Sequence, residues 1–182
     1  MERLKIMVFM GAILAVFNAG YAKWDVYLKP GLGFFGDAVG YNIRLGARAD
    51  VDQIFYNGVR TVENVIVGAG VFINGAGTAQ ANMFNMGLEL NAGYRFEIPL
   101  QGFPRLSIVP VVSFGMAYGV LSDTLYGSSQ KMGAFVTPGV EVTLLLANPL
   151  QLGLDFGYSI YFYNNTVTTL SLGLMVSYTF NM

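Results

Sequence analysis

The chain has 182 residues, of which 54% are apolar and only 12% are charged, and its formal net charge is −1. Soluble domains usually carry about a quarter charged residues, so this composition favours a membrane protein. The length indicates one domain. The near-neutral charge gives no sign of nucleic-acid binding, and the lack of any Cys excludes disulfide bonds.

The first 22 residues predict a secretory signal peptide. Arg3 and Lys5 form a basic start, residues 6–17 form an apolar run, and small residues flank Tyr21 before the predicted cleavage site. We therefore expect a signal peptide at 1–22 and a mature domain at 23–182. An uncleaved anchor helix is the alternative, but the apolar run is shorter than the roughly 20 residues that span a bilayer.

Two-residue alternation of apolar and polar side chains recurs along the rest of the chain, as in half-buried strands. The alternating segments are 24–35, 41–51, 64–74, 82–96, 106–118, 131–146, 150–162 and 167–180. Each is long enough for a tilted strand to cross a bilayer core. The sequence thus predicts an all-β protein, an eight-stranded antiparallel up-and-down transmembrane β-barrel preceded by the signal peptide.

Charged side chains sort onto one face of these segments. The apolar register carries none, and the polar register carries ten: Asp25, Lys29, Arg44, Arg48, Asp50, Glu89, Arg95, Lys131, Glu141 and Asp155. A soluble barrel would turn the charged face to water, whereas an outer-membrane barrel turns the apolar face to lipid. Because the polar face is rich in Gly, Ser and Asn rather than in Lys and Glu, we favour the outer-membrane barrel and outer-membrane lipid as its surroundings.

Aromatic residues on the apolar register concentrate at the two predicted rims. The periplasmic girdle is predicted from Trp24, Tyr94, Phe96, Tyr178 and Phe180, and the outer girdle from Phe34, Tyr41, Phe84, Tyr118 and Phe162. Aliphatic residues lie between them, as the layering of a bilayer requires.

This layout resembles the small eight-stranded outer-membrane barrel superfamily, which includes the OmpA membrane domain and the OmpX and OmpW types. The last strand is similar to the C-terminal assembly signal of such proteins, through Gly173, Val176, Tyr178 and Phe180. The resemblance implies recognition by the barrel-assembly machinery. It departs from many relatives in the two residues that follow Phe180.

Enzymatic activity is not expected. A Ser nucleophile needs an adjacent base, usually His, and the sequence has no His. The commonest metal ligand is missing for the same reason. We therefore predict no catalytic residues, no metal site and no cofactor.

The polar interior leaves the function open. A lumen charge network is predicted from Lys29, Arg44, Arg48, Glu89, Arg95, Glu141 and Asp155. These charges either pair and plug the barrel or line a narrow channel or conduit for small or hydrophobic solutes. A surface-exposed interaction protein or adhesin, or a purely structural barrel, is the alternative to a conduit.

Two local features carry further expectations. Pro30, Pro110 and Pro138 fall inside predicted strands, where each removes a hydrogen-bond donor, so we expect β-bulges there. Residues 119–130 form the one predicted outer loop large enough to offer a recognition surface.

Overall fold

The structure is a computed structural model that describes residues 23–51, 64–78, 81–99, 105–123, 127–147 and 149–181. The predicted signal peptide at 1–22 lies outside the described residues. The strands are β1 (Lys23–Phe35), β2 (Ala38–Asp50), β3 (Val65–Gly77), β4 (Ala81–Tyr94), β5 (Phe96–Ile98), β6 (Leu106–Asp123), β7 (Gly127–Ala147), β8 (Leu150–Phe162) and β9 (Thr166–Asn181).

The nine strands form one closed antiparallel sheet. Their order is β4-β3-β2-β1-β9-β8-β7-β6-β5, and a further pairing of β4 with β6 completes the circle. β4 and β5 keep the same register against β6 on either side of Arg95, so together they act as one barrel strand. The predicted fold, an eight-stranded up-and-down β-barrel, is confirmed.

Each strand proline coincides with a gap in pairing. The β1–β9 ladder lacks residues 29–30, the β7–β8 ladder lacks residues 137–138, and β4 separates from β5 opposite Pro110. The register is the same before and after each gap, so the expectation of bulges at Pro30, Pro110 and Pro138 is wrong. A proline lacks one N–H, and this N–H would point to only one neighbouring strand, so the other ladder continues unbroken.

The turns at the end of the barrel opposite Lys23, here called the upper end, are tighter than predicted. Gly36 and Asp37 alone connect β1 to β2, and Gly36 has a positive φ of 58° that suits glycine. The predicted loop at 119–130 is mostly a continuation of the β6–β7 ladder, which pairs as far as Asp123 with Gly127. Residues 124–126 lie outside the described residues.

Side chains alternate between a buried inward face and an exposed outward face. In β8 and β9 nearly every second residue is buried, and the residues between them are exposed. Leu88, Leu174 and Met132 are 68%, 61% and 72% exposed on the outward face. No helix among the described residues is long and apolar enough to cross a membrane.

The aromatic residues of both predicted girdles stand on the outward register. At the lower end, where β1 begins, Trp24 pairs with Phe180 and packs against Ala49. The rings of Tyr94 and Phe96 are 4.8 Å apart. In the same way, the rings of Tyr178 and Phe180 are 4.7 Å apart. The upper set comprises Phe34, Tyr41, Phe84, Tyr118 and Phe162, each in the upper half of its strand.

Leu154→Arg tests the assignment of faces. Leu154 is outward and 43% exposed in the middle of β8, where an arginine facing lipid costs about 2–4 kcal/mol. We expect a large loss of folded yield in lipid vesicles, measured by heat-modifiable migration. Leu154→Phe is the apolar control at the same site. Gln151→Arg is the inward control, because Gln151 lines a polar cavity of about 390 Å³ at the lower end. Equal yields for both arginine variants would contradict the assignment.

Candidate functional site

The lower end of the interior holds an ionic cluster. Arg95 Nη2 lies 3.1 Å from Asp25 Oδ2, and its Nη1 lies 3.2 Å from Asp50. Thr179 Oγ1 donates a hydrogen bond of 2.6 Å to Asp25 Oδ1. Arg95, the residue between β4 and β5, therefore reaches β1 at Asp25 and β2 at Asp50.

The next layer contains an ion pair that crosses the full width of the lumen. Arg48 on β2 and Glu141 on β7 stand four barrel strands apart in an eight-stranded circle. Arg48 Nη1 nevertheless lies 2.5 Å from Glu141 Oε2, and the two side chains are only 2% and 1% exposed. The pair therefore bridges opposite walls of the barrel.

Lys29 joins the same layer from β1. Its Nζ lies 2.7 Å from Glu141 Oε1 and 2.9 Å from Asp155 Oδ1. Glu141 thus accepts bonds from two cations with its two oxygens, and Asp155 balances the second cation. A buried charge is tolerated when such partners compensate its lost hydration.

A third group of polar side chains lies around Glu89 on β4. Arg44 Nη1 is 2.9 Å from Glu89 Oε2, and Arg44 Nη2 donates to Ser159 Oγ at 3.1 Å. Tyr27 Oη donates to Glu89 Oε1 at 3.2 Å, and Asn91 Nδ2 donates to Tyr27 Oη at 2.9 Å. Tyr27 therefore reaches from β1 to β4.

Glycines on β2 and β3 make room for the side chain of Tyr27. Gly46 on β2 and Gly70 on β3 are directly paired, and the phenol of Tyr27 lies over both. A methyl group at Gly70 would stand 2.9 Å from Tyr27 Oη and 2.7 Å from the carbonyl oxygen of Leu45. In a narrow barrel, a long inward side chain needs small residues on neighbouring strands.

Above the charges, the interior becomes aromatic. Phe72, Phe135 and Tyr161 are buried together with Ala117. The Phe72 and Phe135 rings are 4.9 Å apart in an edge-to-face arrangement, and Phe72 and Tyr161 rings meet at 6.2 Å from opposite walls. This layer is a second point at which side chains from opposite strands touch.

A chain of hydrogen bonds caps the aromatic layer. Tyr163 Oη donates to Asn85 Oδ1 at 2.9 Å, Asn85 Nδ2 donates to Asn74 Oδ1 at 2.9 Å, and Asn74 Nδ2 donates to Tyr161 Oη at 2.7 Å. Burial, together with the neighbouring Tyr161 phenol, raises the pKa of Tyr163 above its ordinary value. Tyr163 therefore remains a donor at neutral pH.

The structure brings six of the seven predicted network residues into the two central layers and places Arg95 in the lower cluster. The central six are Lys29, Arg44, Arg48, Glu89, Glu141 and Asp155. Tyr27 and Asn91 were not predicted as members. Both lie on the inward register of their strands. The two-residue alternation that predicted the charged members therefore places Tyr27 and Asn91 in the interior as well.

The predicted assembly residues all lie on β9, the strand that closes the barrel against β1. Gly173 is buried and pairs with Gly31, whereas Val176, Tyr178 and Phe180 face outward. Their role in assembly stays a prediction. Among the described residues, no group of three or more His, Cys, Asp or Glu side chains is arranged to hold a metal ion.

Glu141→Gln tests the central layer. It leaves Arg48 without a carboxylate at hydrogen-bonding distance, and breaking a buried pair costs about 3–5 kcal/mol. We expect a correspondingly lower free energy of unfolding, measured by urea titration of the barrel refolded in vesicles. Adding Arg48→Met should recover part of the loss, because it removes the buried cation that has lost its hydrogen-bonded carboxylate and keeps only Asp25, at 3.8 Å.

Glu97→Gln is the matched control. Glu97 lies 3.7 Å from Arg105 in an exposed pair, and exposed pairs contribute about 0–1 kcal/mol. Equal losses for Glu97→Gln and Glu141→Gln would contradict a special role for the central layer.

Comparisons with known proteins bear on the fold. No family model and no curated protein matches the sequence. Among solved structures, Neisserial surface protein A (NspA) is similar with a TM-score of 0.59 and 13% identity, over 87% of this chain and 96% of that one. A major outer membrane protein from Thermus thermophilus gives a TM-score of 0.57 and 17% identity, over 87% and 99%. At the level of fold, the predicted resemblance to small outer-membrane barrels is confirmed.

Proposed function

We propose that the protein is a non-enzymatic, integral outer-membrane β-barrel whose lumen is closed, and that it acts through its surface or as a structural barrel. The observation that carries this proposal is the contact of Arg48 with Glu141 across the lumen. The sequence alone leaves a narrow conduit and a plugged lumen both open. The geometry favours the alternative that the interior is a plug.

The outward face supports a lipid environment. Its exposed side chains include Leu28, Leu45, Leu90, Phe114, Leu154 and Leu172. They surround the barrel, whereas exposed apolar patches on soluble monomers rarely exceed a few hundred Å². In the strands, the described charged side chains share the inward register. An apolar exterior around a polar interior is the pattern of transmembrane barrels.

The interior supports closure at three levels. The Arg48–Glu141 pair, the Phe72–Tyr161 contact and the Asn74–Tyr161 hydrogen bond each join opposite walls. A hydrated ion would have to break a buried ion pair and then displace packed rings. Breaking the ion pair is costly because the separated charges would remain in a confined space. Displacing the rings is costly because it disrupts a closely packed layer.

Outer-membrane lipid is the first partner that the proposal implies. Recognition of β9 by the barrel-assembly machinery is a second, and it rests on the resemblance of Gly173, Val176, Tyr178 and Phe180 to an assembly signal. Localisation in the outer membrane and removal of residues 1–22 belong to the same proposal. The protein is proposed to need no cofactor.

Planar-bilayer conductance tests closure. The chain from Lys23 onward is refolded in detergent, checked for heat-modifiable migration and added to a bilayer. We expect no discrete current steps, because the paired layer blocks the lumen. Glu89→Gln is measured in parallel, since Glu89 is 3% exposed and pairs with Arg44 in the other central layer. Steps from the unaltered protein whose ion selectivity changes in Glu89→Gln would establish a conducting path and contradict the proposal.

A further inference from the structure

The β6–β7 hairpin has one open edge at the upper end of the barrel. β7 pairs with β6 from Gly127 onward, but its pairing with β8 begins only at Ala134 with Phe162. Within the described residues, the seven residues from Gly127 to Gly133 therefore have a strand partner on one side only. They lie beyond the end of β8.

The proline gaps show which backbone groups face this open edge. Pro138 interrupts pairing with β8 but not with β6. Even-numbered residues of β7 thus direct their N–H and C=O groups toward the β8 side, because the direction alternates along a strand and the β6–β7 register never shifts. Ser128, Gln130 and Met132 consequently present three donors and three acceptors to the open edge.

The edge has little protection against pairing. Natural edge strands are usually blocked by proline, by bulges or by several charges. Residues 127–133 contain no proline and one charge, Lys131. Residues 127–130 are exposed and Met132 is 72% exposed.

A second copy related by a twofold axis along the membrane normal, the usual symmetry of a dimer, does not pair with this edge. Both β7 strands would run in the same direction, and a twofold axis along the membrane normal would bring N–H groups opposite N–H groups at equal height. Parallel pairing instead needs staggered donors and acceptors. We therefore take the occupant to be a chain that approaches from outside the membrane.

We propose that the β7 edge at residues 127–133 is a docking site for an extended peptide segment of a soluble or cell-surface partner, which adds a strand to the β6–β7 hairpin. Main-chain hydrogen bonds provide the affinity in this mode of binding, and alternate side chains provide the specificity. This inference goes beyond the proposed function. It rests on that proposal only for the outer-membrane localisation, which places the upper end of the barrel outside the cell.

The side chains of the edge define the chemistry of the partner. Lys131 is on the inward register and Met132 on the outward register. A strand lying alongside would place an acidic residue near Lys131 and an apolar residue near Met132. The expected partner segment therefore places an acidic residue next to an apolar one within a stretch of about seven positions, the length of the open edge.

Peptide binding to the purified protein in phosphatidylcholine nanodiscs tests the proposal. The probe is a fluorescent seven-residue peptide that alternates valine and aspartate, and the readout is fluorescence anisotropy. Gln130→Pro removes one edge donor without removing a β6 bond, so we expect affinity to fall about tenfold or more, the equivalent of about 1.4 kcal/mol. Gln130→Ala keeps the donor and should bind within about twofold of the unaltered protein, since only an exposed side chain is lost.

Further controls separate backbone pairing from charge attraction. Methylating alternate amide nitrogens of the probe should abolish binding, and Lys131→Gln should weaken it and reduce its salt dependence. Equal binding by Gln130→Pro and Gln130→Ala, or no binding by the unaltered protein, would overturn the proposal. Clustering of vesicles that carry the unaltered protein but not Gln130→Pro would assign the edge to a copy on a facing membrane instead, and would also overturn it. Conductance does not enter either readout, so failure here is distinct from failure of the closed barrel.

Discussion

The antiparallel seam between β1 and β9 is the constraint on which the rest of the structure depends. It joins the first and last described strands from Lys23 with Asn181 to Phe34 with Leu170. Closing the sheet removes the free edges that a membrane barrel cannot tolerate in hydrocarbon. It also fixes a narrow interior, in which side chains from opposite walls must either fit or clash. The ion pairs, the aromatic layer and the glycines are all responses to that confinement.

The narrow interior explains why opposite charges meet across the lumen and why a large side chain lies beside small residues. Arg48 and Glu141 can meet because each extends from its own wall to the centre. Tyr27 can cross two strands because Gly46 and Gly70 leave its path clear. The result is an interior whose polar atoms are largely bonded to one another, which makes the ion pairs compatible with burial. This mutual satisfaction supports the proposal of a closed lumen.

Much of this architecture could be predicted from the sequence, because a strand in a membrane barrel has only two faces. The two-residue alternation alone assigned Lys29, Glu89 and Glu141 to the interior. It does not give the relative height of the strands in the barrel, so it could not show that Arg48 pairs with Glu141. The extension of β6 and β7 was missed for another reason. Ser128 and Gln130 are exposed beyond the end of β8, and water on both faces removes the alternation that marks a strand.

The ion pairs also connect residues that are far apart in the chain. Lys29 and Asp155 are 126 positions apart, and Arg48 and Glu141 are 93 positions apart. A partial sheet of β1 to β4 would carry Lys29 and Arg48 without Glu141 and Asp155, the carboxylates that lie at hydrogen-bonding distance from them. Inserting such a sheet into hydrocarbon strand by strand would expose these cations at a cost of several kcal/mol each. The barrel must therefore approach its closed form before its interior leaves water, which makes insertion a cooperative event rather than a stepwise one.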